Sequence, residues 1–274
     1  MISKSFGNKR KTKTITFCSG KGGVGKSVIT ANMAAALSDN GSSVLVFDSV
    51  DGLPNQHIIF GVEPPIRLSS VMSGKVDAES ALFRVRENLS LIVDSPLEIS
   101  EFEESVLNLD DILSELKSSD KHEYIFIDTK SGLNEQLISF CLMSDLIVIM
   151  ITDEPTSLLD AYGLIKILIN FTPSKNIVIL VNNVIDSEDA DEVSQKLNLA
   201  TGKFLNTQLD LLGFIPYSRN IRLSIQSQEL LIDKYNFDES SNAIRNIVNV
   251  IEKKYFRFNN LDTVNSNENE GSCI

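Results

Sequence analysis

Residues 20–27 read Gly20-Lys21-Gly22-Gly23-Val24-Gly25-Lys26-Ser27, a glycine loop closed by lysine and serine. The apolar run 14–19 before it predicts a buried strand, and 28–37 after it predicts a helix. Strand, glycine loop and helix in that order form the setting in which G-x-x-x-x-G-K-S holds phosphate. Glycines let the backbone turn tightly and aim successive N–H groups into one concavity. The helix that opens at Lys26 and runs on through Val28 adds the positive end of its dipole. Lys26 supplies a mobile charge for the β- and γ-phosphates, and the Ser27 hydroxyl can hold Mg²⁺. The nucleotide-binding candidates are therefore Gly20, Lys21, Gly22, Gly23, Val24, Gly25, Lys26, Ser27 and Val28.

Such a loop needs a sheet around it, and the chain supplies one. Further apolar runs at 43–47, 89–93, 124–127, 145–151, 176–181 and 211–215 predict strands. Helical spacing predicts helices over 99–117, from Pro155 through Lys166, over 187–205 and over 238–258, with a short turn-rich helical stretch in 66–86. Strands that are apolar at every position and alternate with helices predict an α/β fold: a mainly parallel, twisted sheet with helices on both faces. One domain over 14–258 is expected, with a basic flexible tail at 1–13 and a disordered polar tail at 259–274.

Two runs end in a carboxylate, at Asp48 and Asp128, where charge at the carboxyl edge of a sheet can reach Mg²⁺ or its waters. Ser27, Asp48 and Asp128 are the metal candidates. A net charge of −12 argues against a DNA-coating surface. Cys18, Cys141 and Cys273 lie far apart in sequence with no CxxC pair, which suits a reducing, cytoplasmic compartment. Residues 1–13 hold no apolar core of a signal peptide, and no apolar stretch reaches membrane-spanning length.

Lys21 is not required by the general phosphate-loop pattern. With it, the loop resembles the deviant Walker A motif of the MinD/ParA family of ATPases. That resemblance implies a MinD-like P-loop NTPase fold, ATP and Mg²⁺ as cofactors, and an ATP-sandwiched homodimer in which Lys21 acts in trans and Lys26 in cis. The stretch Asp48-Ser49-Val50-Asp51-Gly52-Leu53-Pro54-Asn55 resembles the family's switch I, except that Val50 stands where the family's water-orienting aspartate falls. Asp51, one residue later, is the alternative carrier of that role, although adjacent side chains on an extended segment point opposite ways. Asp128-Thr129-Lys130-Ser131-Gly132 resembles switch II, which implies that Asp128 binds Mg²⁺ through water and that the Gly132 region senses the γ-phosphate.

The resemblance further implies an adenine contact at Asn182, whose alternative is a bond to its own turn, and base contacts at Pro216 and Tyr217. It leaves two uses open for the 238–258 helix, lying on membrane or packing on the sheet. The string from Thr152 to Lys166 resembles the family's flagellar-number branch, FlhG (FleN, YlxH). That implies a switch controlling flagellar number or placement, with the flagellar GTPase FlhF, basal-body proteins and the inner membrane face as partners. Residues 1–13 lack the glutamine of the segment that activates that GTPase in some members. The alternatives are a division-site or DNA-positioning ATPase, a nucleotide-gated binding module with little turnover, and an iron–sulfur reductase, whose bridging cysteines the chain does not match.

Overall fold

The computed structural model describes residues 11–49, 54–93, 107–172 and 175–257. Strands β1 (Lys13–Cys18), β2 (Val44–Asp48), β3 (Phe83–Arg86), β4 (Leu89–Ile92), β5 (Tyr124–Asp128), β6 (Leu146–Ile151), β7 (Asn176–Val184) and β8 (Asp210–Pro216) form one sheet. Its order is β3-β4-β2-β5-β1-β6-β7-β8, and every neighbouring pair is parallel except β3 with β4. The helices are α1 (Lys26–Asp39), α2 (Gln56–Phe60), α3 (Leu68–Met72), α4 (Leu109–Ser118), α5 (Glu135–Met143), α6 (Pro155–Phe171), α7 (Ser187–Leu205), α8 (Arg219–Gln226), α9 (Leu231–Lys234) and α10 (Glu239–Val250), the last running into a π-helical turn over Ile251–Arg257.

Successive strand residues point to opposite faces, so a strand covered on both sides must be apolar throughout. The central strands are. Ile15 and Phe17 of β1, Val44 and Val46 of β2, Tyr124 and Phe126 of β5 and Val148 of β6 pack under α1 and α10. The alternate residues Ile147, Ile149 and Ile151 of β6 pack under α6 and α7. Leu45 and Phe47 of β2 and Ile125 and Ile127 of β5 pack under α3 and α4. The expected α/β layering is thus present.

The C-terminal stripe is buried. Ile244, Ile247, Val248 and Ile251 are each at most 4% exposed, and α10 lies on β8 and α1. Of the two uses the sequence leaves open for this helix, packing on the sheet is the one observed. Among the described residues no helix is long and apolar enough to cross a membrane.

Several elements depart from the sequence reading. Phe83–Arg86, inside the stretch read as helical and turn-rich, is an antiparallel edge strand. It pairs on one side only and is half exposed, so its alternation of apolar residues and arginines carries little burial signal. The helix expected over 99–117 begins at Leu109, because the Asn108 side chain accepts a hydrogen bond from the Asp111 amide and caps it. The first part of the expected stretch, 99–106, with Phe102 and Val106, lies outside the described residues. Helices α2, α5, α8 and α9 have no counterpart in the expectation; Asn134 caps α5 in the same way. The terminal stretches 1–10 and 258–274, and Val50 and Asp51, also lie outside the described residues.

Candidate phosphate and metal site

The loop leaves β1, in the middle of the sheet, and enters α1. Gly23 and Gly25 have φ of 80° and 88°, left-handed conformations that favour glycine. Gly25 also lies against β7: a Cβ there would sit 2.5 Å from Asn182 Nδ2. That amide donates to the Val24 carbonyl at 2.7 Å. Asn182 therefore braces the phosphate loop and does not bond its own turn, while its Oδ1 is buried without a hydrogen-bond partner.

Asp48 and Asp128 are register partners at the ends of neighbouring strands β2 and β5, and both are wholly buried. Adjacent strands lie about 4.8 Å apart, so the ladder itself brings the two carboxylates together. Oδ2 of Asp48 accepts from the backbone amides of Asn55 and Gln56, each at 3.0 Å, and so anchors the start of α2. Asp128 is held from two sides. Lys26 Nζ donates to its Oδ1 and to the Thr129 carbonyl, and Gln56 Nε2 donates to its Oδ2 at 2.8 Å. The same Gln56 amide donates to the Ser27 carbonyl at 3.0 Å.

The segment after β5 is stitched to the end of β1. Thr129 Oγ1 donates to the Phe17 carbonyl at 2.8 Å, Ser19 Oγ donates to Ser131 Oγ at 3.1 Å, and the Gly132 amide donates to the Ser19 carbonyl at 2.9 Å. Lys21 turns away from this cluster. Its ammonium bonds Glu154 and, at 3.0 Å, Thr156 Oγ1 at the start of α6. Pro216 closes β8, three strands out from β1, and is buried. Tyr217 is 68% exposed, and its amide donates to the Val184 carbonyl at 2.7 Å, at the end of the strand that carries Asn182.

Ser218 caps α8, and its hydroxyl donates to Asp238 at 2.8 Å, as does Asn220 Nδ2. Partial burial works against ionisation of Asp238, but the donors Asn220, Ser218 and Ser240 outweigh it and hold its carboxyl below the usual range. Cys18 and Cys141, distant in sequence, come together in the core; their hydrogen bond, and then burial, push the Cys141 thiol far up.

The structure thus links Lys26, Ser27, Asp48 and Asp128 through Gln56 into one hydrogen-bonded cluster, sets Asn182 against Val24 and Gly25 of the loop, and directs Lys21 elsewhere. Gln56 was missed by sequence reasoning. Its only signal is that it shares the buried face of α2 with Ile59 and Phe60, an amide at an otherwise apolar i, i+3, i+4 position. Among the described residues no cluster of three or more His, Cys, Asp or Glu could enclose a metal. Two buried carboxylates and a serine hydroxyl fit Mg²⁺, which takes one or two carboxylates and fills its shell with water and phosphate.

The family model of the CobQ/CobB/MinD/ParA nucleotide binding domain matches residues 15–232. The chain is 26% identical over 254 residues to the antiactivator FleN of Pseudomonas aeruginosa, covering 91% of this chain and 89% of FleN. It is 31% identical over 251 residues to the flagellum site-determining protein YlxH of Helicobacter pylori, covering 91% of this chain and 85% of YlxH. A solved structure of the septum site-determining protein MinD from Pyrococcus horikoshii, complexed with Mg-ADP, matches with a TM-score of 0.75 over 89% of this chain and 97% of that one; at 23% identity the likeness concerns the fold alone.

Proposed function

The chain belongs to the CobQ/CobB/MinD/ParA nucleotide-binding family, and from that premise we propose that it is an ATP-dependent dimerising switch that regulates flagellar number or placement. The observation that carries the biochemical part is Lys26, buried on Asp128 beneath a phosphate loop, beside a second buried carboxylate in register. The flagellar part rests on the likeness to FleN and YlxH along nearly the whole chain.

In this reading residues 14–258 work as one ATPase domain. Ser27, Asp48 and Asp128 would hold Mg²⁺, which neutralises charge between the β- and γ-phosphates. Lys26 exchanges Asp128 for phosphate. Asn182, Pro216 and Tyr217 lie toward the base, and Gly132 follows the γ-phosphate. Lys21 leaves Glu154 and reaches the nucleotide of a second copy, so loss of the γ-phosphate removes its target and releases the dimer. The resemblance of the Thr152–Lys166 string to the flagellar-number branch further points to the flagellar GTPase FlhF, basal-body proteins and the inner face of the cell membrane, reached peripherally from the cytoplasm, as partners.

Sedimentation with ATP and with ADP, alongside ATP turnover, tests the reading. The expected result is a dimer with ATP, a monomer with ADP and slow turnover, because Val50 cannot orient an attacking water. Val50→Asp is then expected to raise turnover at least tenfold. Fast turnover in the natural chain would move that role to Asp51, with Asp51→Ala as the deciding variant. A monomer under saturating ATP would sink the dimerising switch.

Glu154→Gln weakens the contact that holds Lys21 within its own chain. Both partners are partly exposed, Lys21 at 33% and Glu154 at 57%, so the pair is worth about 0.2–1 kcal/mol. Dimerisation with ATP is therefore expected to tighten by up to about fivefold per subunit. Unchanged dimerisation would mean that the contact does not compete.

A further inference from the structure

Gln56 touches every candidate metal residue. Its backbone amide donates to Asp48 Oδ2 at 3.0 Å, and its side-chain amide donates to Asp128 Oδ2 at 2.8 Å and to the Ser27 carbonyl at 3.0 Å. The residue is wholly buried, and its Oε1 has no hydrogen-bond partner. An amide enclosed in this way spends both hydrogens and leaves an unmet acceptor, which is unfavourable unless a donor arrives. The other buried residues of this helix, Ile59 and Phe60, are apolar, so the amide stands out on its face.

We propose that Gln56 is a positioning residue of the metal site: its Nε2 turns and fixes Asp128, and its Oε1 accepts a hydrogen bond from water on the bound cation. The inference rests on the Mg²⁺–nucleotide reading above. Outer-shell partners of this kind orient the ligands of a site, and their loss typically costs ten- to a hundredfold in metal affinity. The donor geometry assigns the two ends of the side chain distinct tasks. Nε2 faces the carboxylate and the Ser27 carbonyl, both acceptors, so only Oε1 can receive a proton donor. Because Gln56 is the first residue of α2, it also links the metal site to the segment that follows Asp48.

The test is the affinity of a fluorescent ATP analogue, titrated with Mg²⁺ and separately measured in EDTA, for the natural chain and Gln56→Met. The expected result is an apparent Mg²⁺ affinity about ten- to a hundredfold weaker in the variant, with affinity in EDTA within about twofold of the natural chain. Equal losses with and without metal, or no loss, would overturn the proposal in favour of a packing role. If the natural chain itself shows no Mg²⁺ dependence, the reading beneath the proposal fails with it. Should Gln56→Met not fold, Gln56→Glu, purified in Mg²⁺, sets a third carboxylate beside Asp48 and Asp128. Removal of Mg²⁺ is then expected to lower its thermal midpoint by more than it lowers that of the natural chain. Equal shifts would count against the proposal.

Discussion

Lys26→Ala is expected to weaken nucleotide binding at least about a hundredfold, the usual cost of truncating one side of a buried charged contact, and to destabilise the free protein as well. The second effect comes from the partner left behind. Lys26 is 6% exposed and Asp128 is fully buried, and the lysine bonds both Asp128 and the Thr129 carbonyl. Removing one member of a buried ion pair typically costs about 3–5 kcal/mol, because the other charge is left uncompensated. Gln56 still donates to the far oxygen of Asp128, which places the loss near the lower end, about 3 kcal/mol. For a chain of this size that lowers the thermal midpoint by about 6–12 °C. The double variant Lys26→Ala/Asp128→Asn separates the two effects. Neutralising the stranded carboxylate is expected to recover part of the midpoint and none of the binding. An unchanged midpoint in Lys26→Ala would show that Asp128 is not left uncompensated.

Gly20→Ala is expected to damage the fold at the entrance to the loop. A Cβ there would lie 2.4 Å from the carbonyl carbon of Asp160, 2.5 Å from its oxygen and 2.7 Å from its Cβ. Two of these atoms belong to the backbone of α6, which no rotamer change can move, so the helix and the end of β1 must part. Overpacking of this kind costs about 2–3 kcal/mol, or about 4–12 °C in the midpoint. The shifted helix also carries Glu154, its N-cap, and Thr156, so Lys21 loses its partners in the same event. Gly22→Ala is the control. No heavy atom lies within 4 Å of its added Cβ and its φ is not positive, so its stability is expected to stay within about 0.5 kcal/mol of the natural chain. Equal midpoints for the two variants, read from thermal unfolding without nucleotide, would refute the steric account.

Much of this architecture could be read in the chain because it is written in local patterns. Strands buried on both faces must be apolar at every residue, and 124–127 and 145–151 are visible for that reason. Helix α7 occupies the same residues that helical spacing predicts, 187–205, and the structure adds the reason for its start: Asp186 caps it, and Glu188 and Asp189 fill its first turn. The phosphate loop declares itself by glycine spacing. What escaped depends on the partner across space. Phe83–Arg86 is a strand because β4 is beside it. Gln56 is an apolar-face amide whose purpose lies 29 residues back at Ser27 and 72 residues on at Asp128. The resting position of Lys21 is set by Glu154, 133 residues away. Periodicity carries no information about such pairs.

The pairing of Asp48 with Asp128 has a consequence for folding. The two carboxylates meet only because β2 and β5 are joined in one register, Val44 against Tyr124 through Asp48 against Asp128. A slip of one residue would set Asp48 against Ile127 and turn every side chain of β2 to the opposite face. In a sheet whose non-local parallel pairings form slowly, a chain joined out of step would therefore carry both acids and no paired site: the meeting of the two carboxylates is a property of the finished register, not of either strand alone.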